Sequence, residues 1–148
     1  MLSVTRSGQQ EVEKVITILD LKAELAKLTM LRARTPQTTR AEREGSMASL
    51  APYRDGAIFT SKFAGKGAWE RHRNGDEFVH VIDGAATLHL MAEDGAHAFA
   101  LTAGMVAIVP QGMWHRFESA GGVTLMTATP QPTDHPTVDV EDPRTISP

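Results

Sequence analysis

Trp69-Glu70-Arg71-His72-Arg73-Asn74-Gly75-Asp76-Glu77-Phe78-Val79-His80-Val81-Ile82-Asp83-Gly84 sets Glu70, His72 and Glu77 close together in the chain. Glu70 and His72 are two apart, so on a β-strand both side chains leave from one face. Arg73-Asn74-Gly75-Asp76 is turn chemistry, with a glycine free to take positive φ. After that turn Glu77 can come back beside the first pair. A second stretch, Gly104 to Ser119, supplies His115. Two imidazoles and two carboxylates aimed at one point suit a divalent first-row metal ion.

Outward from these stretches the chain reads as short β-like runs broken by turn residues. From about Leu50, the runs are Ala57–Ala64, Ala68–His72, Glu77–Ile82, Ala86–Met91, Ala98–Leu101, Met105–Val109, Trp114–Glu118 and Val123–Thr129. Gly65-Lys66-Gly67, Asp83-Gly84, Asp94-Gly95, Ala103-Gly104, Pro110-Gln111-Gly112 and Ser119–Gly122 supply the turns, Asp83-Gly84 being a hairpin signal. Many short strands at this spacing predict an all-β sandwich or barrel over residues 50–130. Residues 1–49 read as an N-terminal arm, loose to about residue 10. Lys14–Leu19 is β-rich and is read as a strand. Asp20 can cap a helix running from Leu21 to about Leu31, whose leucines at 21, 25, 28 and 31 form one apolar stripe. The rival reading is one longer helix, since Val15 and Ile18 extend that stripe. Thr35–Ser49 is a polar connecting segment, and the nearby Arg32, Arg34, Arg40 and Arg43, interleaved with Glu42 and Glu44, read as a solvated face. Residues 131–148 are a Pro-rich, acidic tail, expected to run over the surface or onto a neighbour.

Composition narrows the class. At 148 residues one domain is the default, and 41% hydrophobic with 22% charged residues is the profile of a soluble globular protein. A net charge of −3 gives no reason to expect nucleic acid or an anionic membrane as partner. There is no cysteine, which excludes disulfides and thiolate ligands. No apolar run approaches the roughly 20 residues of a membrane span, and no signal-peptide pattern opens the chain. The cytoplasm is the expected location.

The two stretches resemble the two motifs of the cupin family. Its first motif has a glycine, then His-x-His, a glutamate three or four residues on, and a glycine after six more. Here Glu77 and Gly84 fit the second half, and His72 takes the second histidine's place. The first histidine's place falls on Glu70, a departure, and the earlier glycine's on Ala64, next to Gly65. The second motif, glycine, five residues, Pro-x-Gly, two residues, His, three residues and Asn, is matched by Gly104, Pro110, Gly112 and His115, with Ser119 for the asparagine. The resemblance covers roughly Leu50 to Pro130. It implies a jelly-roll barrel, here with a short N-terminal helix and an extended C-terminal tail. It also implies one divalent metal ion in the barrel, usually held by three histidines and a glutamate.

For this chain the expected ligands are His72, Glu77 and His115, with Glu70 as a fourth ligand or as a catalytic carboxylate that moves a proton. The bland alternatives are an empty barrel in which these groups hydrogen-bond one another, and a Glu70 that points to solvent. Harder oxygen ligands lean the site towards Mn, Fe or Zn, and the expected ion is Mn, Fe, Zn or Ni, with identity open. Family members include dioxygenases, decarboxylases, isomerases and non-catalytic sensors, so the fold names no reaction. The leading expectation is a metal-dependent enzyme acting on a small oxygen-rich molecule, the alternative a small-molecule-binding module. A homodimer is expected from the spare apolar stripe and the tail. Phe59, Phe63 and Phe117 are expected to wall the cavity, and Trp69 and Trp114 to face away from it. His80 and His89 are read as packed or surface histidines, His97 and His135 as exposed.

Overall fold

Two 16-residue strands, Glu77–Ala92 and His115–Pro130, carry the architecture. The computed structural model describes residues 2–4, 12–136 and 138–145. Within them the order is β1 (Leu2–Val4), β2 (Val12–Lys14), α1 (Leu21–Ala26), β3 (Leu31–Arg34), α2 (Arg40–Arg43), β4 (Met47–Tyr53), β5 (Gly56–Lys66) and β6 (Arg71–His72). Then come β7 (Glu77–Ala92), β8 (Gly95–Thr102), β9 (Val106–Val109), β10 (His115–Pro130), β11 (Thr133–Asp134) and a 3₁₀ turn, Pro143–Thr145. The chain is mainly β, as its turn spacing predicts, with two short helices where one was expected.

Asp83-Gly84 and Ser119–Gly122 are not turns. They lie inside β7 and β10, opposite one another, where the antiparallel register between the two strands shifts. Gly84 takes φ +77, and a Cβ there would lie 2.2 Å from the Gly122 carbonyl oxygen. The glycines therefore serve a paired irregularity, which bends both strands without ending them. Ser119 fastens it: its Oγ donates to the Ala85 carbonyl at 2.6 Å and accepts from Gly122 N at 2.9 Å. The bend divides the seven-stranded sheet in two. Before it, β7 pairs with β9, and after it with β8. The far half of β10 pairs with β5, which in turn carries β4 and β3. Phe63, Val79, Val81, Leu88, Leu101, Val109, Phe117, Val123 and Leu125 from these strands fill one core. Each such side chain contributes about 1.5–3 kcal/mol by leaving water.

The N-terminal arm departs from expectation in several places. The reading of residues 1–10 as loose falls largely outside the described residues, but Leu2–Val4 pairs antiparallel with Val12–Lys14. The expected strand over Lys14–Leu19 stops at Lys14. Val15, Ile16 and Ile18 are exposed, because β-branching alone makes no strand where no neighbour pairs with it. Asp20 caps α1 as predicted, accepting from Ala23 N at 3.2 Å. The helix ends at Ala26, not Leu31. Thr29 N donates instead to the Gly45 carbonyl at 2.8 Å, and Leu31 enters a parallel pairing with Phe63 and packs on the core. Tertiary pairing overrides the helical period there. The connecting segment holds α2, closed by a Thr39–Glu42 capping box, and the start of β4.

The tail lies on its own chain. β11 pairs with β6, Asp134 takes Arg71 and Arg73, and Asp139 takes Arg116. Trp69 Nε1 donates to the Val140 carbonyl at 2.9 Å. Arg116 and Arg71 stack on Trp69 and Trp114, at 4.8 and 4.6 Å from the ring centroids. Both tryptophans are buried with Met91 in a second apolar cluster, away from the cavity as expected. Among the described residues no helix is long and apolar enough to cross a membrane.

Candidate metal centre

The structure brings Glu70, His72, Glu77 and His115 together, with one ligand atom from each lying within 4.8 Å of all the others. Two strand starts, one strand end and one bridge do this. His72 ends β6, Glu77 opens β7 and His115 opens β10. Glu70 is fixed by a reciprocal backbone pair with His115, at 2.8 and 2.9 Å. The loop Arg73–Asp76 is stapled to the Pro110–Gly112 turn: Gln111 N donates to Asp76 Oδ1 and Gly112 N to the His72 carbonyl. Gly75 does not take the positive φ its turn suggests. It is needed for space, since a Cβ would lie 3.2 Å from Pro130 Cγ.

His72, Glu77 and His115 are buried, and Glu70 is partly open at 26% side-chain exposure. His115 Nε2 stands 3.1 Å from Glu77 Oε1 and 3.3 Å from Glu70 Oε1. His72 Nε2 stands 3.2 Å from Glu77 Oε2 and 3.9 Å from Glu70 Oε1. Supporting contacts orient each group. His115 Nδ1 faces the Met113 carbonyl at 3.0 Å, which can only accept, so Nδ1 carries the hydrogen and Nε2 faces the cluster. His72 Nδ1 meets Thr133 Oγ1 at 3.0 Å. Thr129 Oγ1 donates to Glu77 Oε2 at 2.6 Å, and Thr127 Oγ1 lies 2.7 Å behind it.

This inner face consists of carboxylate oxygens and imidazole nitrogens, groups that could hold a metal ion. Burial pushes the Glu77 carboxyl up, but His115 and His72 outweigh it and hold it at about 2. Burial pulls the His115 ring down, but the Glu70 and Glu77 carboxylates raise it to about 10. Glu70 is lowered, because His115 outweighs its burial. Without a metal, a proton on His115 therefore bridges the two carboxylates. That proton does not serve His72, whose buried Nε2 lies 3.2 Å from Glu77 Oε2 but is not aligned for a hydrogen bond with it or with any other described residue. A cation at the centre would give it a partner, so the donor set fits a divalent ion.

A cavity of about 180 Å³ lies over Glu70, His72 and Glu77. Phe59, Phe63 and Phe117 wall it, as their positions predict. Four residues the sequence left unassigned join it: Thr60, Lys62, Thr129 and Thr133. Arg34 and Arg43 line it too, so two of the four arginines read as a solvated face are turned inward; Arg32 and Arg40 are exposed as expected. His135 is exposed but stands at the cavity, touching the Trp69 carbonyl at 3.2 Å. His80 is half-buried, His89 meets Glu118 at 3.2 Å and His97 meets Asp94 at 2.7 Å, none of them in the cluster.

Comparison with known proteins agrees with this geometry. The family model described as cupin domain matches residues 59–128. The fold is similar to a cupin-2 domain containing protein from Shewanella frigidimarina, at 18% identity over 77% of this chain and 95% of that one, with TM-score 0.58. It is also similar to a Neisseria meningitidis protein, at 19% identity over 78% of this chain and 100% of that one, with TM-score 0.54. No curated protein matches the chain in sequence. At these identities the structural likeness speaks for the fold alone. The matched segment runs from β5 to β10 and contains all four clustered residues, so residues 59–128 form a cupin domain.

Proposed function

We propose that Glu70, His72, Glu77 and His115 hold one divalent metal ion, of Mn, Fe, Zn or Ni type, and that the cavity above it takes a small oxygen-rich molecule on which the protein acts as an enzyme. The observation that carries this is the buried acceptor cage with the unpartnered Nε2 of His72. The ion supplies Lewis acidity toward a carbonyl or enolate oxygen, or a position for O₂. The chain's own residues do the rest. Glu70, the cluster's most exposed member, is the carboxylate a bound molecule reaches, and it accepts a proton there once the molecule lies in the cavity. Phe59, Phe63 and Phe117 exclude water around the reacting atoms. Thr129 and Thr133 hold Glu77 and His72 in the orientation ligation needs. A dioxygenase, isomerase or decarboxylase type of reaction fits the cupin domain and this pocket.

The test is elemental analysis of protein purified without a histidine tag, with anomalous scattering at the cluster. One ion per chain, lost in His72→Ala and His115→Ala, is expected. A folded protein that takes up none of the four metals overturns the reading. A metal-loaded protein that binds small oxygenated molecules without turning any over is instead a binding module. We also propose a homodimer. The tail is occupied on its own chain, and exposed apolar side chains such as Phe99 on β8 and Val106 and Ile108 on β9 are available for pairing. Light scattering showing a monomer at micromolar concentration would remove it.

A further inference from the structure

The described arginines outside this cavity that approach a buried position have a carboxylate: Arg71 has Asp134, and Arg116 has Asp139. Three cations at the cavity differ. Arg34, Arg43 and Lys62 line it, and among the described residues none makes an ion pair. We propose that Arg34 and Arg43, with the Thr60 hydroxyl, bind the oxyanion group, carboxylate or phosphate, of the small molecule that occupies the cavity. This deepens the reading of the cavity as a substrate site above a metal ion, and rests on it.

Four observations carry the assignment. First, Arg43 Nε and Thr60 Oγ1 are buried without a hydrogen-bond partner, and Thr60 is 1% exposed. Two unmet polar groups at one cavity call for a ligand that supplies acceptors. Second, the Arg34 guanidinium is held in place. It lies 4.6 Å from the Phe63 ring centroid, and Gly67 leaves it room, since a Cβ there would lie 3.3 Å from Arg34 Cζ. A planar fork so fixed loses little freedom when it takes a carboxylate or phosphate by two parallel bonds. Third, the backbone is turned to deliver it. Leu31 and Arg34 both line the cavity though three residues apart, which a regular strand forbids. Ala33, at φ 58, breaks the alternation between them. A non-glycine residue in this region is uncommon and marks a constrained site. Fourth, the charge is unbalanced. Glu70 and Glu77 face the divalent ion, which matches them and leaves the three wall cations over. Burial lowers the pKa of Arg34 and neighbouring Arg43 lowers it further, which Glu70 offsets only in part. An oxyanion between the two guanidiniums relieves that repulsion. The molecule so held would extend from the arginine wall towards the metal cluster.

Calorimetric titration of the metal-loaded protein tests this with malonate, its uncharged diamide and inorganic phosphate as probes, and with metal content measured on each sample. At least one anion should bind tenfold or more tightly than the diamide, and which anion it is identifies the oxyanion type. Arg34→Met and Arg43→Met should each weaken that anion at least tenfold at unchanged metal content, and Arg34→Lys should recover part of the loss. Circular dichroism and a melting curve confirm that each variant is folded. Should either methionine variant not fold, Arg34→Lys and Thr60→Val carry the same comparison. The inference is overturned if neither anion outbinds the diamide, or if the arginine variants leave anion affinity unchanged. Arginine-dependent binding in a wild type that retains no ion would remove the metal reading and leave this one standing.

Discussion

The floor of the cavity and its arginine wall are both polar and both largely out of water, yet they are held in opposite ways. On the floor every side chain is oriented by a neighbour, and only His72 Nε2 lacks a hydrogen-bond partner, in whose place a cation would serve. His115 has Met113, Glu77 has Thr129, His72 has Thr133, and the opposite charges lie within 4 Å of one another. On the wall, Arg34 and Arg43 repel each other, and among the described residues neither has an ion-pair partner. Only Glu70 offsets the repulsion at Arg34, and Thr60 Oγ1 has no hydrogen-bond partner. A satisfied polar cluster contributes rigidity, whereas an unsatisfied one costs stability and persists where a ligand completes it. The floor is arranged to keep something permanently, the wall to receive something that comes and goes.

The largest expected effect falls on the floor. His115→Ala removes a ligand atom that touches both carboxylates, and should lower metal affinity by more than the ~10–100-fold typical of losing a mere supporting residue. Glu70→Ala should cost less, because Glu70 is the most exposed of the four and water can take its place. Chelator competition measures both. If Glu70→Ala cost as much as His115→Ala, Glu70 would belong wholly to the floor and could not double as the group that meets the bound molecule.

The sequence shows the floor and hides the wall for a physical reason. Ligand geometry on strands has short, fixed spacings: Glu70 and His72 two apart, Glu77 one turn on, and His115 three past Gly112. Those spacings survive as readable patterns. The bent strands were half legible. Asp83-Gly84 and Ser119–Gly122 carry glycines where the chain deviates, but a paired irregularity and a hairpin use the same residues. The wall arginines come from β3 and α2, far from the motifs, in a segment whose alternating charges look solvated. Only the parallel pairing of Leu31 with Phe63 and the turned backbone at Ala33 bring Arg34 inward. Thr60, Thr129 and Thr133 were equally silent, since nothing in composition separates a threonine that orients a ligand from one that fills a strand.

Support beneath the floor is the next largest effect. Thr129→Val keeps the shape and removes the hydroxyl that donates to Glu77 Oε2. It should weaken the metal ~10–100-fold. Thr127→Val, one hydroxyl further back, should do less. Equal losses from the two would mean that the chain of hydroxyls acts as one unit.

A smaller, graded effect follows pH. His115 is raised from an ordinary 6.5 to about 10, so in the metal-free protein its contribution to stability is present below about 6.5 and fades as pH rises towards 10. Glu77 is lowered from 4.5 to about 2, so its contribution is present above about 4.5 and fades as pH falls towards 2. Melting curves of the metal-free protein should therefore be highest between about 4.5 and 6.5, and Glu77→Gln should flatten the acid side. Metal must displace the His115 proton, so affinity should still climb about tenfold per pH unit above 6.5. A plateau reached by pH 7 would mean that the proton does not sit on His115.

The smallest effect belongs to the wall, and its sign decides the comparison. Arg34→Met keeps an unbranched chain against Phe63 and Gly67 and removes the charge. The lost stacking over Phe63 costs ~0.5–2 kcal/mol. Against that, the variant no longer keeps a half-buried cation beside Arg43 without an anion, a penalty that reaches several kcal/mol for a fully buried ion and less here. The two nearly cancel, so metal-free Arg34→Met should melt within a few degrees of the parent, or above it, about 1 kcal/mol at most either way. Were it to fall by more than about 2 kcal/mol, Arg34 would be holding β3 to the barrel, and the wall would be as structural as the floor. A higher melting temperature with weaker anion binding is the result that separates the two regions: the floor stabilises the fold through what it holds, and the wall gives up stability to leave room for a ligand.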